Sequence, residues 1–245
     1  MPKRLLDRQA SLLAYLTSGA AIFGKESVAP PGQALHGIDP ARLRLEARFS
    51  YEKRMEKITS IFPRTFAILG HWGGPLFKDF VEACPPSNIE RLDNARQFHD
   101  FLLARWRREP PHPPYLCDIA ACEFACAQVR GEFADVDIAK PNGIVVDRMR
   151  GMRRRRGIRL LRCAYDIRPL FENGADAEPA RRETLLAITV PPQAREPQVF
   201  ELLPAIFDLL AALDDWVDPA VLGVTEGLEE LVADLARHGL IEVRA

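Results

Sequence analysis

Glu183-Thr184-Leu185-Leu186-Ala187-Ile188-Thr189-Val190 and Gln198-Val199-Phe200-Glu201-Leu202 decide how the second half of this chain folds. Both runs are rich in β-branched and aliphatic residues. The turn-forming Pro191-Pro192-Gln193-Ala194-Arg195-Glu196-Pro197 lies between them, so the pair reads as a hairpin. Upstream, Ile158–Phe171 carries Ile158, Leu160, Leu161, Cys163, Tyr165 and Ile167, a third β-prone series, and Asn173-Gly174 and Glu178-Pro179 mark its connection onward. Downstream the period changes. Leu203, Ile206, Phe207, Leu210 and Leu213 recur at helical spacing, a short helical turn is expected at 219–222, and Thr225 caps a last helix bearing Leu228, Leu231, Val232 and Leu235. Gly239 ends that helix, and Ile241-Glu242-Val243 closes as a short strand.

The first half reads as helical. Leu5, Leu6, Leu12, Leu13 and Leu16 place a helix over 3–23 with Gly24 as its stop, and Ala29-Pro30-Pro31-Gly32 breaks the chain. Asp39-Pro40 is a start signal, a capping carboxylate before a proline at the first helical position. The helix it opens runs to about Ser60, with Leu43, Ala47, Tyr51, Met55 and Ile58 on one stripe, and Pro63 is expected to end it. Shorter helices are predicted near 64–69 and 76–83, divided by Gly70 and Gly73-Gly74-Pro75. Another over 94–108 turns Phe98, Phe101, Leu102 and Trp106 inward. A further helix from Tyr115 to about Arg130 sets Leu116, Ile119, Ala120, Phe124 and Ala127 on one face with Glu123 in its middle. A buried carboxylate must be paired. Glu123 is therefore either a site residue or a tie to a neighbouring element.

The expected class is α+β: a helical domain over 1–135, a basic linker over 136–157, and a domain over 158–245 whose three strands and three helices follow the order of a winged helix-turn-helix. Of 245 residues, 33 are basic and 34 acidic, so whole-chain charge selects no partner. The opening Met1-Pro2-Lys3-Arg4-Leu5-Leu6 is interrupted by Asp7, Arg8 and Gln9, unlike a signal peptide. No apolar stretch approaches the roughly 18 residues of a membrane span. Five cysteines in irregular positions suit a reducing compartment, and a cytoplasmic protein is expected.

Arg148, Arg150, Arg153, Arg154, Arg155, Arg156, Arg159 and Arg162 fall within 15 residues, with Asp147 the acidic residue close by. Such a block repels itself unless an acidic surface or an anion meets it. An acidic protein partner held by Arg153, Arg154, Arg155 and Arg156, nucleic acid, and a solvated connector are all compatible with it. The last helix separates DNA from peptide as its ligand. Residues 226–238 carry Glu226, Glu229, Glu230 and Asp234 against Arg237, and a duplex backbone would repel them. The edge at 198–202 beside that helix instead offers a groove to an added peptide strand. Its candidate contacts are Gln198, Val199, Phe200, Glu201 and Leu202, with Leu228, Leu231, Val232 and Leu235. Some of those leucines must also serve the core. Cys117, Cys122 and Cys126 lack the C-x2-C spacing of a thiolate metal site and read as small core hydrophobes. No metal ligand set, catalytic residue or cofactor is assigned to this chain.

Landmarks in the first half recur in a known order: Ile61-Phe62-Pro63-Arg64-Thr65-Phe66-Ala67-Ile68-Leu69-Gly70, Cys84-Pro85-Pro86, Phe98-His99-Asp100-Phe101-Leu102, and Pro113-Pro114-Tyr115-Leu116-Cys117-Asp118-Ile119-Ala120-Ala121-Cys122-Glu123. Over 38–130 this resembles the accessory subunits of ribosomal-peptide-modifying complexes of the methanobactin and 3-thiaglutamate types. Over 158–243, with Leu235-Ala236-Arg237-His238-Gly239-Leu240-Ile241, the second half is similar to the peptide-recognition element of the pyrroloquinoline-quinone chaperone type, found across ribosomal peptide pathways. The resemblance implies a non-catalytic subunit. It would bind the leader of a precursor peptide and present a peptide cysteine to a partner iron-dependent oxidase, in a heterodimer whose iron belongs to the partner. The arginine run is not part of the family's pattern. A winged-helix nucleic-acid-binding regulator and a stand-alone metalloenzyme are the rival classes.

Overall fold

A computed structural model describes residues 2–24, 35, 37–86, 90–133, 151–172, 178–191, 194–218, 221 and 228–244. Its architecture is mixed α+β, with helices predominating and small antiparallel sheets. The chain divides into two compact units, Met1–Pro111 and His112–Ala245. That division falls about a helix earlier than the 135/136 boundary expected from composition. The helix α7 (Leu116–Phe133) packs on strands of the second unit. Ala29–Gly32, most of the expected basic linker, and the cap at Thr225 lie outside the described residues.

In the first unit the expected 3–23 helix is two helices, α1 (Pro2–Leu16) and α2 (Gly19–Phe23). The break comes at Thr17-Ser18-Gly19, three residues of poor helix propensity, where the Thr17 hydroxyl donates to the Leu13 carbonyl at 2.8 Å. Gly24 then closes α2 in the left-handed region at φ 63°. Asp39 caps α3 (Pro40–Thr59) by accepting the Ala41 N–H at 2.9 Å. Proline 63 opens the next helix, α4 (Pro63–Leu69), while α3 has already stopped at Ser60. A 3-10 turn over Gly70–Trp72 leads into α5 (Gly73–Ala83), so Gly73-Gly74-Pro75 forms a first turn rather than a separator. Proline is tolerated there because first-turn N–H groups have no helical acceptor. Gly73 is required by packing: a Cβ would sit 2.9 Å from the Phe66 ring.

These helices and α6 (Arg91–Trp106) enclose a phenylalanine core. The Phe98 ring centroid lies 5.3 Å from Phe62, 5.6 Å from Phe66, 6.1 Å from Phe77 and 5.1 Å from Phe80. Phe62, Phe77, Phe80 and Phe98 are fully buried. Arg54 of α3 enters this core as well. It donates to Asn94 Oδ1 at 3.0 Å, to the Cys84 carbonyl at 2.8 Å and to Gln97 Oε1 at 3.2 Å, with its guanidinium 4.4 Å from the Phe80 ring centroid. Burial lowers its pKa to about 10, which leaves it charged at neutral pH.

The second unit is layered. Strands β1 (Gly151–Arg154) and β5 (Ile241–Arg244) pair antiparallel, with Arg153 opposite Glu242. Strands β2 (Arg159–Cys163), β3 (Thr184–Thr189) and β4 (Gln198–Glu201) form an antiparallel sheet in the order β2-β3-β4. Ala187 faces Leu160 on one side and Phe200 on the other. Every residue of β3 is buried, as a strand covered on both faces must be. One face, bearing Leu160, Ala187 and Leu202, packs on α9 (Pro204–Ala212) and α10 (Leu228–Arg237) through Leu210, Leu213, Val232 and Leu235. The opposite face takes α7. Asp118 Oδ2 of that helix accepts the Ala164 and Tyr165 N–H groups at 2.8 and 3.0 Å just past β2, and Arg159 donates to Gln128 and Glu132. A short helix α8 (Arg168–Glu172) follows β2. No described helix is long and apolar enough to cross a membrane.

Candidate peptide-binding edge

Among the described residues strand β4 pairs with β3 on one side only, so its other backbone edge is an edge of the sheet. The register fixes which groups point outward. The Leu202 N–H donates to the Leu185 carbonyl at 2.8 Å, so Leu202, Phe200 and Gln198 direct their peptide groups toward β3. Antiparallel alternation then turns the N–H and C=O of Val199 and Glu201 outward. Among the described residues nothing hydrogen-bonds to those outward groups.

Side chains alternate as well. Val199 and Glu201 share one face of the sheet, and Gln198, Phe200 and Leu202 share the other. Phe200 is half-buried, its ring centroid 6.4 Å from that of His238, directly beyond α10. Leu202 packs against the core. Projected at about 100° per residue, Leu231, Asp234 and His238 run along one flank of α10. The Phe200–His238 contact identifies that flank as the β4 side. Beside the edge therefore lie Phe200 and His238, with Leu231 and Asp234 among the described residues on the same flank of α10 as His238.

The predicted contact set divides accordingly. Val232 and Leu235 are 0% and 4% exposed and belong to the core, so they are not available to a ligand. Helix periodicity marks an apolar stripe without saying whether the chain itself fills it. Leu231 is partly buried at the core margin, and Gln198 and Glu201 are exposed. The backbone position of Leu228 begins α10, and its side chain lies outside the described residues.

Glu201 is held in an ion cluster that sequence reading did not find. Its Oε2 meets Arg168 at 2.7 Å and its Oε1 meets Arg182 at 2.6 Å, while both arginines also bind Asp166, at 2.8 and 2.5 Å. Hydrogen bonds from Arg168 and then Arg182 hold the Asp166 carboxyl far below the usual carboxylate range, and Arg182 lowers Glu201. The four residues come from three separate stretches, so no local spacing announces them.

Four of the six described arginines of the run meet carboxylates of their own unit. Arg153 meets Glu242 at 2.5 Å and stacks 4.6 Å from the Trp216 ring centroid. Arg154 binds Asp214 and donates to the Leu210 carbonyl at 3.0 Å, Arg159 binds Glu132, and Arg162 meets Glu183 at 2.8 Å. Arg155 donates to the Val190 carbonyl at 3.4 Å. Arg156 is exposed, and Arg148 and Arg150 lie outside the described residues. For those four, the acidic surface that the block requires is the unit's own.

Cys122 is buried, and its thiol is pushed well up by its hydrogen bond with Cys126 and by burial. Burial raises Cys163 to about 12. Neither is a nucleophile at neutral pH, since the thiolate is the reactive form. Glu123 is 4% exposed. No group of three His, Cys, Asp or Glu side chains comes together among the described residues as a metal ion would need. No protein-family model matches the chain, and no curated protein is detectably similar to it in sequence.

Proposed function

We propose that this chain is a non-catalytic subunit that binds the leader of a precursor peptide and presents a cysteine of that peptide to a partner iron-dependent oxidase. The observation that carries the reading is the outward-facing backbone of Val199 and Glu201. Their N–H and C=O groups lie on a sheet edge beside the Phe200–His238 ring pair, and an open edge of this kind is what β-strand addition uses. The order of β2, β3 and β4 followed by α9 and α10 supports a winged-helix peptide-recognition element. The resemblance over 38–130 supports the helical unit as the part that docks the oxidase, and the iron would be the partner's. A nucleic-acid regulator draws less support, because four of the six described arginines that favoured it meet carboxylates of the same unit.

Two measurements test the reading. Co-expression with the neighbouring genes is expected to give a complex in which an iron oxidase and a short peptide co-purify with the chain; a chain that purifies alone from such a strain counts against the proposal. Val199→Pro removes an outward N–H without disturbing the β3 ladder. It is expected to weaken leader binding at least about ten-fold by removing a main-chain hydrogen bond. Unchanged affinity would exclude strand addition at β4.

A further inference from the structure

We infer that the peptide taken up along β4 is cationic, and that Asp234 receives one of its lysine or arginine side chains; this rests on the strand-addition reading above. The two units carry opposite charge. Residues 1–111 hold 17 basic and 12 acidic residues, a net of +5, and residues 112–245 hold 16 and 22, a net of −6. A near-neutral chain is thus a basic unit joined to an acidic one. The acid is concentrated where the edge lies. From Glu196 to Arg237, through β4, α9 and α10, there are ten acidic residues and one basic residue, Arg237 at the end of α10.

Some of that acid is neutralised in place: Glu196 by Arg130, Glu201 by Arg168 and Arg182, and Asp214 by Arg154. Asp208 and Glu230 are exposed on α9 and α10 and face no cation among the described residues. Asp234 has only weak contacts on its own helix, 3.3 Å to Arg237 and 3.7 Å to His238, and its side chain is 49% exposed. It occupies the β4-side flank between Leu231 and His238, so a residue of an added strand would project toward it on the Phe200 face of the sheet. A peptide with matching cations would be steered to the edge and set in register there. An acidic peptide would be repelled by the same elements.

The test uses the full chain, the variants Asp234→Lys and Val199→Pro, and a displayed library of short random peptides selected on the wild-type protein. Circular dichroism checks that each variant folds. The expected result is a selected pool enriched in lysine and arginine around an alternating apolar core. Its members should lose about ten-fold in affinity to Asp234→Lys and weaken as salt is raised. Methylating alternate backbone nitrogens of a selected peptide should abolish its binding, which tests strand pairing without altering the protein. If neutral or acidic peptides are selected, or Asp234→Lys changes nothing while Val199→Pro and N-methylation still abolish binding, the charge inference falls and strand addition stands. If selected peptides bind regardless of Val199→Pro and N-methylation, or if no peptide is selected, strand addition falls and the inference falls with it.

Discussion

The two units bury arginine in opposite ways. In the helical unit Arg54 is 9% exposed and is held by an amide oxygen on each of two side chains, one backbone carbonyl and one aromatic ring, with no carboxylate among those partners. In the sheet-containing unit Arg153, Arg154, Arg159, Arg162, Arg168 and Arg182 each meet a carboxylate and stay partly exposed. The first arrangement ties three segments together: α3, the turn at Cys84, and α6. Its donors must all be used, because an unsatisfied buried cation is costly. The second arrangement balances charge near water, where each pair is worth little alone. The helical unit is therefore rigid at one internal point, while the other spreads its charge over a surface that includes the candidate edge.

That contrast can be broken most severely in the phenylalanine core. Phe98→Ala removes the ring around which Phe62, Phe66, Phe77 and Phe80 pack, and it should cost about 3–5 kcal/mol. The loss should appear in calorimetry as an early transition of the helical unit, with the second unit's transition unmoved. A uniform shift of both transitions would show that the units do not unfold separately.

The arginines themselves sharpen it. Arg54→Ala strands two side-chain acceptors and a carbonyl in the core and should destabilise the first unit by about 2–4 kcal/mol, from lost hydrogen bonds and packing. Arg153→Ala should cost about 1 kcal/mol or less, as a partly exposed pair does. Urea denaturation of both variants measures the ratio, and equal costs would erase the distinction.

The smallest effect is pH-dependent. Asp166 and Glu201 have folded-state pKa values below their unfolded ones, so they add stability above the unfolded carboxylate pKa of about 4. That contribution is lost as pH falls below this value toward the folded-state ones. Asp166→Asn should therefore be less stable than wild type at neutral pH, with the gap closing in acid. A gap that stays constant between the two would mean the cluster contributes through packing rather than charge.

Much of the layout is visible in the residues themselves. Asp39-Pro40 marks the start of α3, the β-branched runs mark β3 and β4, and the leucine spacing marks α10, since each signal is a local one of capping or periodicity. Strand β1 is not legible. Gly151-Met152-Arg153-Arg154 reads as a polar connector until Glu242 and Asp214, far along the chain, neutralise it. The ion cluster at Glu201 escapes for the same reason: Asp166 and Arg168 are neighbours, but Arg182 and Glu201 reach them only through the sheet register.

By itself the sequence determined that the chain has a helical half and a strand-bearing half, where most elements begin and end, and that residues 198–202 form a strand. Propensity, caps and periodicity act over a few residues, so a linear reading captures them. Only the tertiary structure decided that α7 covers the sheet, that Val232 and Leu235 are core, and that Val199 and Glu201 turn their backbone outward. Those outcomes depend on which surface buries which stripe, a matter of contacts between residues distant in the chain.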